Sequence, residues 1–105
     1  MARIRRGEVW LADLGMAAKV RPVLVMSIAY GDRDYALVSV VPHTTVPRGA
    51  EFEVKVDLRS LRQGAFNVQG MLAVPEAKFI RKIDSLDSVQ LQRIEIVVKQ
   101  WLGLA

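Results

Sequence analysis

Residues 21–27 read RPVLVMS and residues 35–41 read YALVSVV, and these two runs decide the fold. Each is a short stretch of aliphatic, largely β-branched residues bounded by turn formers, the pattern of a buried strand. Pro22 heads the first run, where a strand can forgo one ladder donor. Gly31, Asp32 and Asp34 supply the turn between the runs. Working outward, residues 8–14 read as a preceding strand. In residues 52–56, Phe52, Val54 and Val56 alternate with Glu53 and Lys55, which marks a half-buried strand. Residues 57–64 (DLRSLRQG) suit a short helical turn, capped by Asp57 and stopped by Gly64. Residues 71–74 and 79–83 read as two further short strands, separated by Pro75 and Glu76.

The C-terminal element has the fullest set of signals. Asp87 and Gln90 have the spacing of an N-cap and its capping-box partner. Leu91, Ile94, Val98, Trp101 and Leu102 recur at helical spacing, and Gly103 ends the run. The expectation is a mainly β protein, with five or six short strands in a strongly curved sheet or partial barrel. One C-terminal helix lies against it as a lid. No repeat or linker interrupts the 105 residues, so residues 1–105 read as a single domain.

Composition narrows the function classes. Fifteen Lys and Arg against eleven Asp and Glu give a net charge of +4, a mild excess compatible with a polyanionic or acidic partner. There is no cysteine, which excludes disulfides and thiolate metal sites. With one histidine and no clustered carboxylates, neither a metal site nor a cofactor is expected. The basic start at residues 1–6 runs into Gly7 and Glu8 rather than an apolar stretch. Neither a signal peptide nor a membrane span is expected, and the default compartment is the cytoplasm.

A barrel this small has no room for an internal cavity, so chemistry belongs on its surface, in the loops at residues 15–21 and 42–49. The first offers Lys19 and Arg21; the second offers His43, Thr44, Thr45 and Arg48. A basic, hydroxyl-bearing patch of this kind suits a phosphate, because guanidinium forks match its oxygens and hydroxyls add short hydrogen bonds. RNA cleavage asks little more than that. The 2′-hydroxyl is an internal nucleophile, so the protein has to orient the backbone, move a proton and stabilise the phosphorane charge. His43 is the one side chain whose ordinary pKa lies near neutrality, and it adjoins Thr44, which makes it a candidate proton shuttle. Each residue also has a plainer reading, as a solvated strand edge, a turn hydroxyl or a loop imidazole.

Four motifs in order resemble the MazF/PemK/Kid toxins of toxin–antitoxin pairs. They are Arg6-Gly7-Glu8-Val9-Trp10, Arg21-Pro22-Val23-Leu24-Val25, Pro42-His43-Thr44-Thr45 leading to Phe52-Glu53-Val54, and the helix closing on Trp101-Leu102-Gly103-Leu104. The likeness implies an SH3-like β-barrel, a homodimer, and metal-independent, sequence-selective cleavage of single-stranded RNA. The products it implies are a 2′,3′-cyclic phosphate and a 5′-hydroxyl. It also implies inhibition by a cognate antitoxin protein. Arg21 and Thr44 match the family's catalytic pair, and Lys19 lies in the loop that matches its site-covering loop. Thr45, Arg48 and Glu76 are candidate RNA contacts. Where some members carry an arginine and an acid, this chain has Ala73 and Pro75; either Glu76 or His43 stands in for the missing proton-transfer group, or Arg21 acts with Thr44 alone. A non-enzymatic gyrase poison resembling CcdB, suggested by the Trp101-Leu102-Gly103 end, and an inactive relative of the same fold are the alternatives.

Overall fold

The computed structural model describes residues 3–15, 17 and 19–104. Parts of the expected basic terminus (Met1, Ala2), of the loop at residues 15–21 (Met16, Ala18) and of the C-terminal end (Ala105) lie outside the described residues. The strands are β1 (Glu8–Asp13), β2 (Val20–Val25), β3 (Leu37–Thr44), β4 (Glu53–Val54), β5 (Ala65–Asn67), β6 (Leu72–Pro75) and β7 (Phe79–Ser85), followed by the helix α1 (Ser88–Leu102). They form one antiparallel sheet in the order β4-β5-β3-β2-β1-β7, with β6 paired to β3. Register shifts in the β1–β7 ladder between Val9 and Trp10 and between Leu11 and Ala12 are bulges, which bend a sheet.

Two hydrophobic cores lie on opposite faces of the sheet, and the period-2 rule sorts the side chains between them. Trp10, Ala12, Val23, Val25, Val38, Val40, Val74 and Phe79 build one core with Ile4. Val9, Leu24 and Val41 point the other way, to Val54, Val56, Phe66, Val68, Leu86 and Ile94. Because β2 is buried on both faces, it reads as a continuous apolar run rather than an alternating one.

Helix α1 covers the second core. Asp87 accepts from the Gln90 amide at 2.8 Å, and the Gln90 side chain accepts from the Asp87 amide at 3.0 Å, completing the capping box. Gly103 adopts a left-handed φ of 72° at the C-cap. Ile94 is fully buried, with Leu91, Val97 and Val98 packed around it. Trp101 turns onto Phe52, with ring centroids 5.1 Å apart. Leu102, expected on the buried face, is instead half exposed; Val97 takes its share of the contact.

Four sequence expectations change. Among the described residues the sheet has seven strands, because β5 and the 3-10 turn at Val68–Gly70 lie between Gly64 and Gly70, a spacing that gives no periodic signal. The strand expected at residues 52–56 pairs only at Glu53 and Val54. Residues 57–64 form no helix, only a turn in which the Leu61 amide donates to the Leu58 carbonyl at 3.1 Å. The strand expected to end at Val41 continues through Pro42, His43 and Thr44. Pro42 does not break it, because the partner changes there. On the edge away from β2, the β6 ladder ends at Val40↔Leu72 and β5 takes over at His43↔Phe66 and Thr44↔Ala65, so Pro42 falls in the gap between the two.

Candidate active site

Arg21 and Thr44 are brought together by strand register. In the antiparallel β2–β3 ladder the last pair is Val23↔Pro42, and continuing two residues outward sets Arg21 opposite Thr44. Arg21 shares its face with Val23 and Val25, and Thr44 shares its face with Val40 and Pro42. Both therefore emerge beyond the edge of the first core, where Leu14 packs. There they line an open cleft of about 800 Å3 together with Thr45, Arg48, Glu53 and Asn67.

The Val46 amide donates to Thr44 Oγ1 at 3.1 Å, a turn of the side chain onto its own loop. One hydroxyl lone pair is thereby occupied, and the O–H proton remains available to an anion in the cleft. Glu53 organises the other side of that loop. The Arg48 amide donates to both carboxylate oxygens, at 3.1 and 3.0 Å, and the Ala50 amide donates to Oε1 at 2.9 Å. The Arg48 amide, ahead of the other loop amides, holds the Glu53 pKa below the ordinary carboxylate value. The Glu53 carboxylate is thus an anchor for the loop that carries Arg48.

His43 is not a loop residue. It is 3% exposed, in β3, its ring edge-on to Phe66 at a centroid distance of 5.0 Å. Period 2 turns it away from Thr44 and into the helix-covered core, although its edge reaches the cleft wall. Burial pushes its pKa below the ordinary 6.5, which favours the neutral ring. Beside it Gly64 allows two backbones to meet. A methyl group there would overlap the Thr44 carbonyl oxygen and stand 2.8 Å from His43 Cε1.

Two expected residues are placed elsewhere. Lys19 is exposed at the β1–β2 turn, with a left-handed φ of 48° unusual for a non-glycine residue, and does not line the cleft. Its amide donates to the Gly15 carbonyl at 3.0 Å and its carbonyl accepts from the Leu14 amide at 2.8 Å. Glu76 lies in the 3-10 turn Glu76–Lys78, where its amide donates to the Ala36 carbonyl at 3.0 Å. Its carboxylate takes a hydrogen bond from Tyr30, whose pKa is raised in consequence. Glu76 Oε1 is buried without a hydrogen-bond partner. Conversely, Glu53, Asn67 and Gln69 line the cleft although sequence reasoning does not single them out. Glu53 is legible as the outward face of an alternating strand; Asn67 and Gln69 belong to the β5 segment that gives no signal. Among the described residues, no group of three or more His, Asp or Glu side chains is placed to hold a metal ion.

Comparison with solved structures gives strong matches across almost the whole chain. A mycobacterial endoribonuclease in complex with its cognate antitoxin superposes with a TM-score of 0.82 at 22% identity, over 97% of each chain. The Mycobacterium tuberculosis toxin MazF-mt6 gives 0.79 at 26% identity, over 93% of this chain and 98% of that one. A MazE–MazF structure from Deinococcus radiodurans gives 0.82 at 17% identity, over 100% of both chains. Comparison with curated protein sequences finds no match. Residues 5–102 match the sequence model of the PemK-like, MazF-like toxins of type II toxin–antitoxin systems. That match takes in every strand and the helix, and the chain belongs to the MazF/PemK toxin family.

Proposed function

We propose that the protein is an endoribonuclease that cleaves single-stranded RNA at the Arg21–Thr44 cleft. The observation that carries this reading is that a guanidinium, Arg21, and a hydroxyl, Thr44, line one open cleft at the ends of two neighbouring strands, in a toxin of this family. Arg21 spans the non-bridging phosphate oxygens and stabilises the phosphorane, and Thr44 donates its O–H to the same group. Arg48, held by Glu53, neutralises a neighbouring phosphate. The ribose 2′-hydroxyl attacks the adjacent phosphorus and the 5′-oxygen leaves, giving a 2′,3′-cyclic phosphate and a 5′-hydroxyl without a metal. With Glu76 turned to Tyr30 and His43 buried and neutral, the protons pass through water in the open cleft. His43 supports Thr44 from behind.

Incubation of the purified protein with single-stranded RNA, with and without EDTA, tests the reading. Cleavage that survives chelation and leaves cyclic-phosphate ends supports it; a 3′-hydroxyl product or EDTA-sensitive activity overturns it. Absence of cleavage returns the chain to the gyrase-poison or inactive-relative alternatives, although Trp101, packed on Phe52, is already engaged in the fold.

The same reading includes an antitoxin whose acidic segment occupies the basic cleft, and action in the cytoplasm. It also includes a homodimer. Leu37, Ala73 and Pro75 share one exposed strip of β3 and β6, on the face that α1 covers only further along the sheet. Sedimentation at micromolar concentration checks this: twice the chain mass is expected, and a monomer that still cleaves RNA contradicts it.

A further inference from the structure

The segment between β4 and β5 folds around a second cleft, of about 560 Å3, lined by Lys55, Arg59, Arg62 and Asp57 above the apolar Leu58 and Leu61. The two clefts adjoin, since Thr45 lines both. Resting on the ribonuclease reading, we propose that this second cleft is a subsite for the same RNA strand, taking a nucleotide that flanks the scissile one. Arg59 and Arg62 hold its phosphate there, and Leu58 and Leu61 carry its base.

Three features distinguish this segment from a merely solvated basic loop. Its floor is fixed, because Leu58 and Leu61 pack against the helix-side core. Its position is fixed as well: Ser60 Oγ donates to Asp84 Oδ2 at 2.6 Å, tethering the segment to β7, and Gly64 lets its end lie directly against the Thr44 backbone. Its charge is complementary to a phosphodiester, with three cations against one carboxylate. A strand threaded past Arg21 and Thr44 continues at Thr45 into a space sized for a small ligand, with an apolar surface for a base face and guanidinium groups for the backbone. The dimensions suit one nucleotide, and the neighbouring cleft supplies the next.

The test begins with the cleavage position that the wild-type protein chooses in single-stranded RNA. An RNA of roughly 12 nucleotides spanning that position is compared with versions truncated on either side of it, using wild type and Arg59→Ala/Arg62→Ala. On the long RNA the double variant is expected to lose about tenfold in kcat/KM. The slope of log KM against log salt should shrink by roughly 0.7, the value for one neutralised phosphate on a single strand. Truncating the flank on the subsite's side should cost the wild type a similar factor and the variant much less. Arg59→Lys/Arg62→Lys, which keeps the charges, should restore the salt slope. Equal losses by the variant on long and truncated RNA, or an unchanged salt slope, would overturn the subsite. Wild-type cleavage with the same kcat/KM on long and truncated RNA also removes it, while leaving the ribonuclease reading standing. A wild-type protein that cleaves no RNA overturns that reading, and the subsite with it.

Discussion

His43 and Thr44 are consecutive residues of one strand, and their surroundings are opposite. His43 points into the helix-covered core, against Phe66; Thr44 points past the edge of the other core into the cleft it shares with Arg21. One face of the sheet commits its side chains to packing, and the other runs out of apolar residues at the position where Arg21 and Thr44 begin. The division follows from the two-residue period of a strand, and it separates what should cost stability from what should cost activity.

The largest effect is expected on the cleft side. Arg21→Lys keeps the charge but loses the planar fork, and should cut the cleavage rate by ~10²-fold or more, comparable to losing an oxyanion donor. The variant should still fold. Near-normal turnover in a folded Lys variant would break the assignment of the two faces. On the packed side, Gly64→Ala forces a methyl into the Thr44 carbonyl and the His43 ring. A loss of about 3 kcal/mol in urea unfolding is expected, at the upper end of overpacking costs. Loss of activity should follow from displacement of Thr44, so KM and kcat should both worsen in whatever protein remains folded. Full stability in this variant would show that the two backbones can part without consequence.

Thr44→Ala sharpens the comparison at a single hydroxyl. Removing one hydrogen bond to a charged phosphate should cost roughly 10- to 150-fold in rate, because such a bond contributes about 1.5–3 kcal/mol. The unfolding midpoint should shift little, since Thr44 is only half-buried and its hydroxyl oxygen accepts from an exposed loop amide. A large stability loss with unchanged turnover would reverse the roles given to the two neighbours.

How much of this can be read from the chain depends on the length of each signal. The helix is legible to its caps, because Asp87, Gln90 and Gly103 each satisfy a specific backbone requirement. Strands β1 and β2 are legible because a doubly buried strand writes an unbroken apolar run. Strand β5 is not: three residues between Gly64 and the 3-10 turn hold too little pattern, although Phe66 is fully buried. Pro42 misleads for a physical reason. A proline ordinarily ends a strand, whereas this one stands in the gap where one edge of β3 changes partner from β6 to β5. That one displacement puts His43 in a loop when the sequence is read alone. Arg21 and Thr44 come from the family likeness, and their mutual placement comes from register, which a lone sequence does not state. Glu76 is misplaced because its position in sequence says nothing of Tyr30 across the surface.

The smallest effect expected is also the one that decides between the two roles of His43. Burial lowers its folded pKa below 6.5, so the unfolded chain binds a proton in a pH range where the folded chain does not. Stability contributed by the neutral buried ring is therefore complete above about pH 6.5 and is lost as pH falls through the folded pKa. The chain has one histidine, and the carboxylates held low in the folded state, Glu8, Glu53 and Asp84, begin from ordinary values of 4.5, 4.5 and 3.8. Between roughly pH 7.5 and pH 5.5, His43 is the side chain that titrates. The urea midpoint of the wild type should fall across that window, and that of His43→Leu, which fills the same space against Phe66 with an apolar group, should stay level. Cleavage by the Leu variant should keep the wild-type shape of its pH–rate profile. A shuttle behaves differently: removing it would cost about 10²–10⁴-fold in rate and delete one limb of the profile. If His43→Leu does that while its stability stays level with pH, the buried ring reaches the reacting oxygens after all. The two faces of β3 would then share the chemistry instead of dividing it.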